Sequence, residues 1–143
     1  MNDCIFCRIA GKQEEAVVLY EDAEIMIFLD IAPIRSGHSH IIPKQHYETF
    51  ELIPPDLAGR IIVLGQHLAK RIKAVYKVDR VAFLFTGGDV PHAHAHVIPM
   101  HEKTDITSAR YIIGPSKPEF DSSHLRVDRQ SLLEVKKELG FPT

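Results

Sequence analysis

No stretch of the sequence approaches the roughly 20 consecutive apolar residues that a helix needs to cross a bilayer, so a helical membrane span is excluded. The N-terminus, Met1-Asn2-Asp3-Cys4, lacks a basic segment followed by an apolar one, and no secretory signal is expected. An excess of one charge is also missing. Seventeen Lys and Arg stand against 19 Asp and Glu, a formal net charge of -2. That balance gives no global attraction to nucleic acid or to an anionic membrane surface. Internal repeats, low-complexity tracts and linkers are absent. Cysteine is scarce: there are two, both in Cys4-Ile5-Phe6-Cys7. In a reducing compartment this spacing favours metal or redox chemistry over a structural disulfide, and the cytoplasm is the expected location. What remains is a chain of 143 residues, 45% hydrophobic and 25% charged, the make-up of one soluble domain with a hydrophobic core.

Histidine is plentiful, with nine in the chain, and three of them alternate in Pro91-His92-Ala93-His94-Ala95-His96-Val97-Ile98-Pro99-Met100. On a β-strand, positions i, i+2 and i+4 share a face. His92, His94 and His96 are therefore expected side by side, their rings roughly 7 Å apart. Ala93, Ala95 and Val97 would point into a core. Buried imidazoles need hydrogen-bond partners, so three in a row argue for a purpose. Such a row can bind a metal, grip a phosphate, or carry a nucleophile beside a proton donor.

The rest of the chain supplies a scaffold. Cys4–Ala10 reads as one or two helical turns closed by Gly11. Val17–Tyr20 and Glu24–Leu29 read as strands joined by the turn Glu21-Asp22-Ala23, a hairpin ended by Asp30. Pro33 and Gly37 mark a loop, and His38–Ile42 is a third strand stopped by Pro43. Pro54-Pro55-Asp56 opens a helix, since proline and an acid suit a first helical turn. Leu57, Ile61, Leu64, Leu68, Ile72 and Val75 then recur at steps of three and four, an amphipathic helix of about five turns. Arg80–Thr86 is a fourth strand, turned back by Thr86-Gly87-Gly88-Asp89 into the histidine strand. Gly114, Pro115 and Pro118 mark a loop, and a terminal helix ends near Gly140, capped by Ser131 in a capping box with Glu134 or by Asp128. Strands joined by tight turns plus one long helix imply an α+β domain with an antiparallel sheet.

Phe28-Leu29-Asp30-Ile31-Ala32-Pro33, Gly37-His38, Ile41-Ile42-Pro43-Lys44-Gln45-His46 and His92-x-His94-x-His96 occur in this order, after Cys4-x-x-Cys7. In these motifs, from Cys4 to about Met100, the chain resembles the histidine triad (HIT) family of nucleotide hydrolases and transferases, in particular its zinc-binding bacterial-type members. The resemblance implies a five-stranded antiparallel sheet with two main helices, a single domain over 1–143 with its core at about 4–100 and a divergent segment over 101–143. It also implies a homodimer. His94 matches the family nucleophile, which attacks the α-phosphate of nucleoside phosphoramidates or dinucleoside polyphosphates to form a nucleotidyl-histidine that water then hydrolyses. His96 matches the position that contacts phosphate oxygens and helps the leaving group depart. His38 matches a histidine beside the active site. Asp30 matches the acid that accepts hydrogen bonds from the ribose hydroxyls. Ile5, Phe6, Ile9, Phe28 and Ile31 match the apolar slot for the base. Cys4, Cys7, His46 and His92 match the ligands of a structural zinc.

The chain departs from the family pattern before the triad. Gly87-Gly88-Asp89-Val90-Pro91-His92 has Gly88 where many members carry glutamine, and the usual asparagine is missing. Asp89 stands close to the expected phosphate site, where its charge would repel them, while the backbone N–H groups around Gly88 can form an anion-binding nest. Met100 occupies a position where arginine is common. Two other readings compete. In one, His92, His94 and His96 hold a catalytic zinc with a fourth position for water. In the other, a degenerate family member binds nucleotide as a sensor without turning it over. The expected partner is a small-molecule nucleotide, with no nucleic acid and no membrane.

Overall fold

The computed structural model describes residues 3–106, 112–113 and 119–142. The stretch with Gly114, Pro115 and Pro118 lies outside the described residues. A short helix α1 (Ile5–Ala10) is followed by strands β1 (Val18–Glu21), β2 (Ile25–Leu29) and β3 (Ser39–Pro43). The long helix α2 (Pro55–Tyr76) then leads into β4 (Arg80–Phe85) and β5 (Ala95–Met100). Two short strands, β6 (Ile112–Ile113) and β7 (Glu119–Phe120), pair with each other, and helix α3 (Arg129–Leu139) follows. The main sheet has five antiparallel strands in the order β1-β2-β3-β5-β4. The expected α+β fold, a five-stranded antiparallel sheet with two main helices, is the one observed.

Period-two alternation sorts the buried strands onto two faces. Ile25, Ile27, Leu29, Ile41, Ala95 and Val97 pack with Leu57, Ile61, Leu68 and Ile72 of α2 in the larger core. Met26, Phe28 and Ile42 pack on the other face with Phe6 and Ile9 of α1. β2 and β3 are buried along their whole lengths, which is why β2, Ile-Met-Ile-Phe-Leu, reads as an apolar run rather than a clean alternation. α2 is 22 residues long, about a turn longer than its apolar repeat implied. Its inner stripe includes Gly65, where a Cβ would stand 2.5 Å from the Phe83 ring of β4. The small residue lets helix and strand close together. Asp128 caps α3 by accepting from the Ser131 N–H at 2.8 Å, which settles the choice of cap against Ser131.

One expectation needs correction. β5 begins only at Ala95, so His92 and His94 precede the strand and His96 alone belongs to it. The backbone explains this. The His92 N–H bonds back to the Val90 carbonyl at 2.8 Å and the Ala93 N–H bonds to the Tyr47 carbonyl at 2.7 Å, neither of them a ladder bond. Pro91 just upstream has no N–H to offer a ladder. The facing is kept, because Ala93 and Ala95 are still in the larger core. The ring spacing is not: the His94 and His96 centroids are 4.9 Å apart, closer than regular strand geometry would place them.

Candidate active site and metal site

Two clusters form on the sheet face that carries α1. The first gathers Cys4, Cys7, His46 and His92. Cys4 caps α1, its Sγ accepting from the Cys7 N–H at 3.4 Å. The helix turn thereby points both thiols the same way. The loop after β3 supplies His46 and the approach to β5 supplies His92. Cys4 Sγ lies 3.3 Å from His92 Nδ1, and Cys7 Sγ lies 3.3 Å from His46 Nδ1 and 3.5 Å from His92 Nδ1. Tetrahedral zinc with Zn–S of about 2.3 Å and Zn–N of about 2.0–2.1 Å separates sulfur from nitrogen by about 3.5 Å. The donor set and its spacing therefore fit such an ion. His92 Nε2 donates to the Pro43 carbonyl at 2.8 Å, which fixes the tautomer with a lone pair on Nδ1, toward the sulfurs. A ligating histidine characteristically has its other nitrogen held in this way. Burial and the neighbouring Cys4 thiol push the Cys7 thiol up, the sign that a bound cation would reverse.

The second cluster holds His94, His96, His38, Asp30 and His40. The registers create it. His40 lies directly opposite His96 across β3 and β5 and opposite Phe28 across β2 and β3. The Asp30 N–H bonds to the His38 carbonyl at 2.9 Å. Gly37, at φ +98°, makes the turn that brings His38 into the site, a conformation that favours glycine. The histidines are almost fully buried, from 0% exposed for His38 to 7% for His40 and His96.

Hydrogen bonds fix most of the protons. His94 Nδ1 donates to the His92 carbonyl at 2.7 Å, which leaves the lone pair on Nε2. The Ile34 N–H donates to His38 Nδ1 at 3.1 Å, so neutral His38 carries its proton on Nε2 and donates it to His96 Nδ1 at 2.9 Å. Neutral His96 then carries its own proton on Nε2. Burial keeps these rings uncharged: it is the largest influence holding His94 down at about 4, His38 at about 3 and His96 at about 2. Repulsion from His40 adds to this for all three. The arrangement thus offers an imidazole lone pair next to an N–H donor, with a ring-to-ring distance of 4.9 Å.

Asp30 Oδ1 accepts from the Ala32 N–H at 2.7 Å and Oδ2 accepts from His40 Nε2 at 2.7 Å. Burial alone would raise the carboxyl, but the charge and hydrogen bond of His40, with help from His38 and the Ala32 amide, hold it well below the ordinary carboxylate range. Phe6 packs edge-on to His94 at 4.9 Å and to Phe28 at 5.4 Å. Ile9 is buried with them, whereas Ile5 and Ile31 are 37% and 46% exposed. Gly88 and Asp89 lie on an exposed turn, and among the described residues no hydrogen bond or ion pair joins either to the histidines.

The geometry argues against metal in the second cluster. Asp30, His38, His40 and His96 are close enough to share an ion, but the Ile34 N–H points at His38 Nδ1. Metal on Nε2 would require a doubly deprotonated ring or the loss of that bond. A zinc held by His92, His94 and His96 together is equally unfavourable. His92 directs its one lone pair to the cysteines and donates from its other nitrogen to the Pro43 carbonyl, so it has no nitrogen left for an ion shared with His94 and His96. Sequence reasoning missed His40 altogether. The signal was there, because His38-x-His40-x-Ile42 alternates on the third strand just as the triad does.

A family model described as the HIT domain matches residues 11–103. An uncharacterized HIT-like protein of Methanocaldococcus jannaschii is 35% identical over 103 residues, covering 69% of this chain and 80% of that protein. An adenylylsulfatase of Arabidopsis thaliana, HINT3, is 34% identical over 107 residues, covering 71% of this chain and 54% of that protein. Among solved structures, a zinc-bound histidine triad family protein from Mycobacterium smegmatis superposes with a TM-score of 0.71 at 25% identity, covering 97% of this chain and 94% of that one. With the triad, the five-stranded sheet and these matches together, the chain belongs to the histidine triad, or HIT, family.

Proposed function

We propose that the protein is a nucleotide hydrolase that cleaves at the α-phosphate of nucleoside phosphoramidates or dinucleoside polyphosphates, through a nucleotidyl-histidine intermediate on His94. The observation that carries this reading is the tautomer pattern: a lone pair on His94 Nε2 beside a proton on His96 Nε2. In the first step His94 Nε2 bonds to the α-phosphorus, and the bond to the leaving group breaks with its electron pair. The His92 carbonyl, 2.7 Å from His94 Nδ1, stabilises the positive charge that develops on the ring. The His96 N–H donates a hydrogen bond to a phosphate oxygen or to the departing atom, and His38 holds His96 in that tautomer. Water then adds to phosphorus and His94 leaves. Splitting one displacement into two easier ones is the usual advantage of a covalent intermediate.

In the same reading, Asp30 takes the ribose hydroxyls. Phe6, Ile9 and Phe28 wall the base slot, and exposed Ile5 and Ile31 flank its mouth. Gly88 and Asp89 border the phosphates. Cys4, Cys7, His46 and His92 hold a structural zinc, supported by the spacing of the donors and by the zinc-bound relative. Residues 1–143 form a single domain that acts in the cytoplasm. We also read it as a homodimer: β4 is an edge strand, and Phe83 on it, Ile62 and Val63 on α2, and Phe50 and Leu52 before α2 are exposed apolar side chains. Such surface characteristically seeks a partner.

Parallel assay of the purified protein against adenosine phosphoramidate, adenylyl-lysine, adenylyl sulfate and dinucleoside polyphosphates tests the activity. Turnover of at least one, releasing a nucleoside monophosphate, is expected. Tight monophosphate binding with no turnover of any would favour the sensor reading. The pH profile is a second check. The nucleophile must be neutral, and His94 charges only as pH falls through about 4. On the preferred substrate kcat/KM should therefore be level between pH 5 and pH 8, because His94 is held well below the ordinary histidine value of roughly 6.5. A fall centred near pH 6.5 would show that the triad is not held neutral.

A further inference from the structure

We infer that His40 is a specificity-determining residue that positions Asp30 to read the two hydroxyls of a ribose. The inference rests on the nucleotide reading above and adds to it a residue outside the triad and outside the matched motifs. A carboxylate has about four acceptor positions on its two oxygens. In this site the Ala32 N–H takes one on Oδ1 and His40 Nε2 takes one on Oδ2, each at 2.7 Å. One position remains on each oxygen, the number that a vicinal diol needs. His38 Nε2 stands 3.6 Å from Oδ2 but is committed to His96.

Packing alone does not account for a histidine at this position. Its apolar neighbours on the same face are Met26, Phe28 and Ile42, and the rings of His38, His94 and His96 that also pack against it make no hydrogen bond to it among the described residues. An aliphatic or phenyl side chain would fill the space without a polar atom. His40 instead buries Nδ1 with no hydrogen-bond partner among the described residues, an arrangement that lowers stability. What the ring gains is direction. It stacks on Phe28 at 5.3 Å and 16° and on His38 at 5.6 Å and 19°. Stacked on both rings, it presents Nε2 to Asp30 at 2.7 Å. Without that donor the carboxylate is free to turn about its side-chain bond, and its open acceptor positions no longer coincide with the diol.

The test compares adenosine 5′-monophosphate with its 2′,3′-dideoxy analogue, and the guanosine pair likewise, by calorimetry on wild type, His40→Leu and His40→Gln. Wild type should prefer the ribonucleotide by about ten- to a hundredfold, the span of hydrogen bonds to a charged group. His40→Leu should lose most of that preference while binding the dideoxy analogue as wild type does, and should unfold at the same or a higher temperature. His40→Gln, whose amide N–H can still reach Oδ2, should regain most of the preference. A purely structural role would instead weaken both ligands alike. If His40→Leu does not fold, His40→Phe, whose ring suits the stack on Phe28, takes its place. Full ribose preference in the folded Leu or Phe variant overturns the inference and leaves the nucleotide reading intact. A wild type that binds both analogues equally removes Asp30 as ribose reader, and His40 with it. A wild type that binds neither nucleotide overturns the functional reading itself.

Discussion

Replacing His94 with alanine should lower turnover by about ten-thousandfold or more, the usual scale for deleting an essential nucleophile. Nucleoside monophosphate binding should stay within a few-fold of wild type. The ring is removed from the reacting side of the site, while Asp30 and its partners His40 and Ala32 do not depend on it. The Cys4, Cys7, His46 and His92 cluster is also untouched, since His92 points its Nδ1 at Cys4 and Cys7. His94 does pack against Phe6 at 4.9 Å, so some loss of stability is expected, and the assay should be run well below the variant's unfolding temperature. Substantial residual turnover in folded, pure His94→Ala protein would remove covalent catalysis on this residue. His96→Ala gives the graded comparison: it keeps the nucleophile and loses one N–H donor, and it should retain measurably more activity than His94→Ala.

Cys4→Ser should empty the metal site. We expect about one zinc per chain in wild type and close to none in the variant. The unfolding temperature should fall by about 10 °C, because a metal bound only by the folded state contributes its binding energy to folding. Four protein ligands leave no open position, so an ion there acts structurally. Such an ion would tie α1 to the loop after β3 and to the residues just before β5. In this reading His92 is one of the four ligands, and its carbonyl holds His94 Nδ1, so activity should decline in part, through looser placement of the nucleophile. The catalytic-zinc alternative predicts the reverse: zinc retained in Cys4→Ser, and turnover abolished by a chelator with the fold kept. Metal content and turnover measured on one preparation separate the two.

The elements were legible where local chemistry dominates. The 22-residue helix α2 announced itself through Leu57, Ile61, Leu68 and Ile72, and Pro55 and Asp56 marked its start. The alternation of His92, His94 and His96 with alanine and valine correctly divided core from site. What the alternation could not reveal was the point where the ladder begins. That depends on Tyr47, 46 residues upstream of Ala93, capturing the Ala93 N–H. His40 was overlooked because its meaning is a tertiary one. Only the pairing of β3 with β2 and β5 sets it against Phe28, Asp30 and His96. Gly88 and Asp89 stand out in the sequence through the motif they interrupt, and the structure sets them on an exposed turn. The proton positions, which the mechanism needs most, follow from backbone groups at Ile34, Pro43 and His92 that carry no side-chain signature.

The central claim is that a nucleotide becomes covalently attached to His94 during turnover. The direct measurement mixes wild type with its preferred substrate, quenches within milliseconds in alkaline denaturant, and locates the added mass by fragmenting the peptide that contains His92, His94 and His96. The account predicts one nucleoside monophosphoryl group on His94, stable in base, released by mild acid, and absent from His94→Ala. Turnover with no adduct at any quench time, or an adduct carried by His96 in place of His94, would contradict it.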